Sequence, residues 1–402
     1  MIRKLYTFFQ KETVLSISVI LAVFSMFWIK PDHTYISYID FRTLGLLFCL
    51  MTIVAGLKEI GVFDFLAEKM LSKAHGTKAI VTLLVLLCFF FSMVITNDVA
   101  LITFVPLALI MLHKLPEELT EYWLIKVVVM QTIAANLGSM LTPIGNPQNL
   151  YLYAQADMSA FALIRLMLPY SVVSLILLLF WIRFAASKAP KMSKRNDISL
   201  SFSNTSEHHR ENILKSTANR KTEYLIAYLL LFAACLLTVA HILDFRIPLL
   251  LVVLYVIIRN HTLLEKVDYS LLATFTALFI FIGNLGRISQ FSHFLSSIMT
   301  GRETITAILA SQVMSNVPAA ILLSGFANNY TSLIIGTNIG GLGTLIASMA
   351  SLISFKYIAK ENPHLRGKYF TLFTVIVAGI FTVFTFFTVD FMYCTVFFPV
   401  TL

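Results

Sequence analysis

Charge is scarce in this sequence: only 13% of its 402 residues are Asp, Glu, Lys or Arg, where a soluble domain carries about 25%. Cysteine is scarce as well. The four present, Cys49, Cys88, Cys235 and Cys394, all lie in apolar segments without metal-type spacing, so they read as packing residues rather than ligands. Runs of alternating apolar and polar residues are missing, which excludes a transmembrane β-barrel. ATP-binding motifs are missing, which excludes an ATP-driven pump but not a channel. The apolar segments hold no HExxH, no Ser/His pair and no second aspartate, so an intramembrane protease is excluded and no catalytic residues are expected. Gly341-Leu342-Gly343 follows no strand and sits in an apolar segment, so it is not a dinucleotide loop.

What remains is apolar. Hydrophobic residues make up 58% of the chain, mean hydropathy is +0.83, and runs near 20 residues, enough to cross a ~30 Å hydrocarbon core, recur from end to end. The reading is an all-α polytopic membrane protein. The net charge of +9 sits in the loops and follows the positive-inside rule rather than marking a nucleic-acid partner. The basic start MIRKLYTFFQK precedes an apolar stretch without a small-x-small cleavage site, so it is expected to be retained.

An internal echo organises the chain. His33-Thr34 with Asp40 matches His261-Thr262 with Asp268; Gly56 pairs with Gly283; Thr96-Asn97 pairs with Ser315-Asn316. Finally Asn136, Gly138, Thr142 and Leu150 fall on Asn338, Gly340, Thr344 and Leu352. Four matches in one order predict two repeats. The division is a first repeat in 1–186, a basic Ser-rich cytoplasmic linker in 187–222, a linking transmembrane helix in 223–244 and a second repeat in 245–402. Each repeat is expected to hold a re-entrant helical hairpin and a discontinuous transmembrane helix. Four crossings per repeat plus one linking helix invert the second copy. Most Lys and Arg then fall on one side, which places the N-terminus in the cytoplasm and the C-terminus outside the cell membrane. Inverted repeats are a usual architecture of secondary transporters. The amphipathic stretch 63–75 is too short to span and is expected along the inner surface.

The polar residues concentrate at two kinds of place. The hairpin tips read Thr96-Asn97-Asp98 and Ser315-Asn316-Val317. The helix breaks read Thr142-Pro143-Ile144-Gly145-Asn146-Pro147-Gln148-Asn149 and Gly336 to Thr344, leading to Ser348. Irregular backbone survives in hydrocarbon only where it lines a cavity or meets protein. Pro143 and Pro147 free carbonyls one turn earlier, and these with Asn and Thr side chains suit Na⁺. The following half-helix N-termini suit an anion. The candidate solute and ion ligands are Thr96, Asn97, Asp98, Asn136, Thr142, Gly145, Asn146, Asn149, Ser315, Asn316, Asn338, Gly340, Thr344 and Ser348, with Na⁺ near Asn97, Asp98 and Asn146.

Asp98 is the acidic residue expected near mid-membrane, where a carboxylate costs roughly 2.5–3.5 kcal/mol on insertion scales and is a functional candidate by default. The plainer reading is a cap on a half-helix starting at Val99. Val317 holds the matching place in the second repeat, so a cation site that needs this carboxylate is expected to be one-sided.

At these residues the chain resembles the ion transporter superfamily, which includes divalent anion/sodium symporters, citrate transporters, arsenite-efflux proteins and sodium/proton antiporters. The symporters carry Ser-Asn-Thr at both tips; here the third residues are Asp98 and Val317, and Thr96-Asn97-Asp98 together with Gly145-Asn146-Pro147 and Asn149 is similar to the arsenite and sodium/proton branch. The resemblance implies a transport domain of hairpins and broken helices moving in an elevator motion against a scaffold, often in a homodimer. The expected function is secondary transport of a small carboxylate or inorganic oxyanion coupled to Na⁺ or H⁺, with no other cofactor, and with the solute and membrane lipid as partners. The alternative is a sodium/proton antiporter or arsenite-efflux permease that uses Asp98.

Overall fold

A computed structural model describes residues 12–74, 76–190 and 211–397. The described residues form helices and no strand. The basic start and much of the 187–222 linker lie outside them.

The first series of elements is α1 (Thr13–Ser25), α2 (Thr34–Tyr38), α3 (Phe41–Glu59), α4 (Val62–Leu71), α5 (Thr77–Ile95), α6 (Asn97–Leu112), α7 (Glu117–Ser139), α8 (Pro147–Gln155) and α9 (Ala160–Ser187). After α10 (Glu211–Val239) comes α11 (Arg246–Arg259), a 3₁₀ turn (His261–Lys266), α12 (Tyr269–Gly286), α13 (Ser289–Met299), α14 (Glu303–Met314), α15 (Asn316–Ser324), α16 (Tyr330–Gly340), α17 (Met349–Glu361) and α18 (Arg366–Phe397). Element for element, the two series keep the same order. Among the described residues, six helical segments are long and apolar enough to cross a membrane: α3, α5, α9, 222–239 of α10, α12 and 363–384. The protein is a multi-pass membrane protein.

Helix α10 starts at Glu211, ahead of the part apolar enough to cross a membrane, 222–239: residues 211–222 contain neither Pro nor Gly, so the helix extends beyond the apolar stretch. One expectation is corrected. Helix α6 begins at Asn97 with Thr96 at its N-cap, so Asp98 lies in the first turn and is not the cap. Its charge still favours the helix dipole there.

The chain divides into two compact units. One comprises Met1–Asp40, Leu84–Ser187 and Tyr269–Leu402; the other comprises Phe41–Leu83 and Lys188–Asp268. Each draws on both series. In the smaller unit α3 packs on α10 and α11. A Cβ at Gly56 would lie 2.5 Å from the ring of Tyr228, so only glycine admits this approach, and Lys266 pairs with Glu59 at 2.8 Å at the surface. In the larger unit α1 packs on α12. Tyr38 lies over Gly283, 2.3 Å from where a Cβ would be, and Arg287 pairs with Asp32 at 2.8 Å. The Thr34 hydroxyl and the Arg287 guanidinium hold the Asp32 carboxyl below the usual carboxylate range. The larger unit also contains both tips and both breaks.

Candidate functional site

The α5–α6 and α14–α15 junctions adopt one conformation. Thr96 has φ 73° and ψ 150°, and Ser315 has φ 75° and ψ 153°. This region is essentially glycine-only, and holding another residue there costs of order 1–3 kcal/mol. Each junction is then tied to a break in the same way. The Asn97 amide N–H donates to the Gly145 carbonyl at 3.2 Å, and the Asn316 N–H donates to the Ala347 carbonyl at 2.9 Å.

The breaks correspond too. Helix α7 stops at Ser139 and α8 restarts behind Asn146, whose φ and ψ are −140° and 142°, with Pro147 in its first turn. Proline is pre-organised there and lacks an N–H that would have no helical partner. Helix α16 stops at Gly340 and α17 restarts behind Ser348, with φ −141° and ψ 134°. In both breaks a threonine hydroxyl reaches back to the helix before the tip: Thr142 Oγ1 donates to the Met93 carbonyl on α5, and Thr344 Oγ1 donates to the Gln312 carbonyl on α14 at 3.2 Å.

Between these segments two asparagines form a crossed pair. Asn136 Oδ1, on α7, accepts from Asn97 Nδ2 at 3.1 Å and from Ser348 Oγ at 2.8 Å. Its Nδ2 donates to the Thr132 carbonyl at 3.2 Å and to Ser351 Oγ at 3.3 Å. Asn338, on α16, repeats the pattern from the other side. Its Oδ1 accepts from Asn146 Nδ2 at 3.3 Å, and its Nδ2 donates to Asn149 Oδ1 at 2.7 Å and to the Ile334 carbonyl at 2.8 Å. Each asparagine of one series therefore grips the restarted helix of the other series at two residues three apart. Asn97, Asn136, Asn146, Asn149, Ser315, Asn316, Asn338 and Ser348 are all buried, and a buried network of this kind must be satisfied to be tolerated.

Space is exhausted around it. A Cβ at Gly138 would lie 2.0 Å from the Phe89 carbonyl, one at Gly145 2.2 Å from the Ser139 carbonyl, and one at Gly340 2.7 Å from Ser311 Oγ. Gln131 stitches α7 to α5 and α6 by donating to the carbonyls of Leu84 and Phe104, both at 3.2 Å.

The structure thus brings Asn97, Asn136 and Ser348 into one hydrogen-bonded group and Asn146, Asn149 and Asn338 into another. Asp98 follows Asn97, its N–H bonded to Asn97 Oδ1 at 2.9 Å, and is half-buried. Thr96, Gly145, Ser315, Asn316 and Gly340 frame the cluster through their backbones. Thr142 and Thr344 act at its edge, as ties to α5 and α14. Sequence reasoning missed Ser351, Gln131 and Gln312. Ser351 was legible, because it pairs with Asn149 in the register that pairs Asn136 with Asn338.

Within the crossed pair, Asn146 Oδ1 is buried and has no hydrogen-bond partner. A carboxamide oxygen is a hard neutral donor, which suits a hard cation rather than a soft metal.

The chain is similar to known transporters over most of its length. A family described as "Citrate transporter" matches residues 9–331. An uncharacterized transporter of Methanocaldococcus jannaschii is 33% identical over 85% of this chain and 87% of its own length. The inner membrane protein YbiR of Escherichia coli is 29% identical over 79% of this chain and 80% of its own. An uncharacterized transporter of Mycobacterium tuberculosis is 24% identical over 72% and 69%. With the family matched over most of its length, this multi-pass, all-helical chain belongs to the citrate transporter family and is a membrane transporter.

Proposed function

We propose that the protein is a secondary active transporter that moves a small carboxylate or inorganic oxyanion, coupled to Na⁺ or H⁺. One observation carries this reading: the crossed pair in which Asn136 binds Ser348 and Ser351 while Asn338 binds Asn146 and Asn149. It is the pattern expected of two inverted repeats whose broken helices meet mid-membrane around one solute position, with the α5–α6 and α14–α15 pairs as re-entrant hairpins. No lysine or arginine takes part in these bonds. Anion binding then falls to the N–H groups and positive dipole ends of the restarted helices, and charge balance falls to the co-transported cation. Cation binding falls to Asn146 Oδ1, Asn97 and Asp98. Alternating access follows an elevator movement of the tip-and-break region, in a homodimer surrounded by lipid, with the N-terminus cytoplasmic and the C-terminus outside.

The test is a thermal-shift screen of purified protein against citrate, smaller dicarboxylates, arsenite, phosphate and sulfate, with Na⁺ or with choline in its place. A ligand that binds only the folded state raises Tm by linkage, about 2.7 kcal/mol of stabilisation at a hundredfold excess over Kd. An anion that raises Tm only in Na⁺ supports the reading. A chain unresponsive to every anion, yet driving sodium-dependent proton movement in vesicles, supports a sodium/proton antiporter instead. Asp98 beside the cluster, with Val317 at the matching place, favours that second reading.

A further inference from the structure

The two breaks are held by different residues. In the first, Asn149 reaches back from α8: its Nδ2 donates to the carbonyls of Met140 at 3.1 Å and Thr142 at 3.3 Å. In the second, the corresponding residue is Ser351, too short for such a reach and already accepting from Asn136 at 3.3 Å. The work is done instead by Gln312 on α14. Gln312 Nε2 donates to the Gly340 carbonyl at 2.7 Å and to the Ile308 carbonyl at 3.0 Å. Its Oε1 accepts from the Thr344 N–H at 2.7 Å, and its carbonyl accepts from Thr344 Oγ1 at 3.2 Å. Its counterpart in the first series, relative to the tip, is Met93, whose side chain cannot form these bonds.

The surroundings explain why the second break needs such a residue. Segment 143–146 is buried, and prolines at 143 and 147 leave it fewer N–H groups to satisfy. Thr344 and Ile346 are exposed, and no proline lies between 341 and 348. Gln312, Gly343 and Thr344 line one wall of a groove of about 700 Å³ whose other walls are mainly apolar, including Leu309, Phe370 and Val377. Backbone N–H and C=O groups facing such a groove inside a membrane are costly to leave without partners. Gln312 supplies one donor and one acceptor to them. Its carboxamide is pressed on Gly343, where a Cβ would fall 1.5 Å from Oε1.

We propose that Gln312 is a positioning residue that clamps the second break to α14, so that the α14–α15 pair and residues 340–348 move as one body. Separating them would leave the Thr344 N–H without its acceptor beside apolar walls and the Gly340 carbonyl with only the Gly343 N–H, at 3.2 Å. The α14–α15 pair therefore does not open as a lid independent of the break. The functional half of this inference rests on the transport reading above; the structural half does not.

The test is hydrogen–deuterium exchange of the full chain in detergent. Gln312→Met is expected to speed exchange in 341–348 about tenfold, corresponding to the loss of one to two hydrogen bonds, and to leave 140–146 unchanged. Gln312→Glu keeps the acceptor for Thr344 and is expected to fall between, which gives a milder variant if the first folds poorly. Adding Ser351→Asn to Gln312→Met transplants the first break's solution and is expected to restore most of the lost protection. Unchanged exchange in Gln312→Met, or equal loss in both breaks, overturns the clamp, as does failure of Ser351→Asn to restore any protection. Uptake of radiolabelled citrate into proteoliposomes supplies the second readout. Loss of the clamp lowers Vmax several-fold at a KM within twofold, whereas a raised KM at unchanged Vmax makes Gln312 a solute contact and overturns the positioning role. A wild type that takes up no citrate counts against a carboxylate cargo alone, and exchange still decides the clamp.

Discussion

Replacing Asn136 by Ala removes four bonds at once. Two are bonds its Oδ1 accepts, from Asn97 Nδ2 at 3.1 Å and Ser348 Oγ at 2.8 Å; the others are its own Nδ2 donations to the Thr132 carbonyl and Ser351 Oγ. The residue is 6% exposed, so water cannot easily replace the lost partner. Two buried donors are stranded, and each costs about 1–3 kcal/mol. The Ser348 hydroxyl can rotate toward another acceptor, which puts the total at about 3 kcal/mol. With an unfolding entropy of about 2.1 cal/mol/K per residue, a chain of 402 residues shifts by about 1–2 °C per kcal/mol, so the expected fall in Tm is about 3–6 °C, read by fluorescence-detected unfolding in detergent. A double-mutant cycle isolates the bond itself. Asn136→Ala and Ser348→Ala together are expected to cost less than the sum of the two, by about 1 kcal/mol, as contacting residues do. Strict additivity of the two losses would refute the contact and with it the crossed pair.

Thr96→Gly and Ser315→Gly relieve the two strained junctions and are expected to raise stability by up to about 1 kcal/mol each, after the entropic penalty of glycine; a loss of stability at both would mean the conformation is not strained. Gly138→Ala drives a Cβ to 2.0 Å from the Phe89 carbonyl and is expected to cost at least 1–3 kcal/mol. Gly379→Ala, with nothing within 4 Å, is expected to gain a few tenths to about 1 kcal/mol from helix propensity; equal Tm values for the two would contradict the packing. Asp98→Asn is expected to abolish any sodium-dependent rise in Tm while leaving the protein folded, and a full sodium response would remove Asp98 from the cation site. Lys266→Ala breaks an exposed ion pair at 2.8 Å and is expected to change stability by less than about 1 kcal/mol, measured by chemical denaturation.

Much of this site was legible in the sequence because membrane helices announce their interruptions. Pro147 and Gly145 ended one long apolar run, and the glycines around Asn338 ended the other; the register pairing Asn136 with Asn338 then located both halves of the crossed pair. The matched backbone of Thr96 and Ser315 follows from the paired tips, although a left-handed Thr or Ser cannot be foreseen from residue type, since both disfavour it. Gln312 was illegible because its partners are backbone groups: no residue pattern marks a side chain that bonds a carbonyl 28 positions away, and its counterpart Met93 gives no echo. The extension of α10 ahead of its apolar span was illegible for a different reason. Polarity marks where a helix leaves the membrane, not where it ends, and residues 211–222, without Pro or Gly, continue it. Asp98 lies in the first turn and not at the cap because Thr96, not the acidic residue, takes the sharp change in backbone direction.

The most direct test of the crossed pair is an experimental density map of the protein in Na⁺ at side-chain resolution. The account predicts Asn136 Oδ1 within hydrogen-bonding distance of both Asn97 and Ser348, Asn338 bridging Asn146 and Asn149, and density for an ion beside Asn146 Oδ1 that vanishes in choline. A map in which Asn136 and Ser348 are separated by intervening side chains, or in which Asn146 faces the acyl chains, would contradict it.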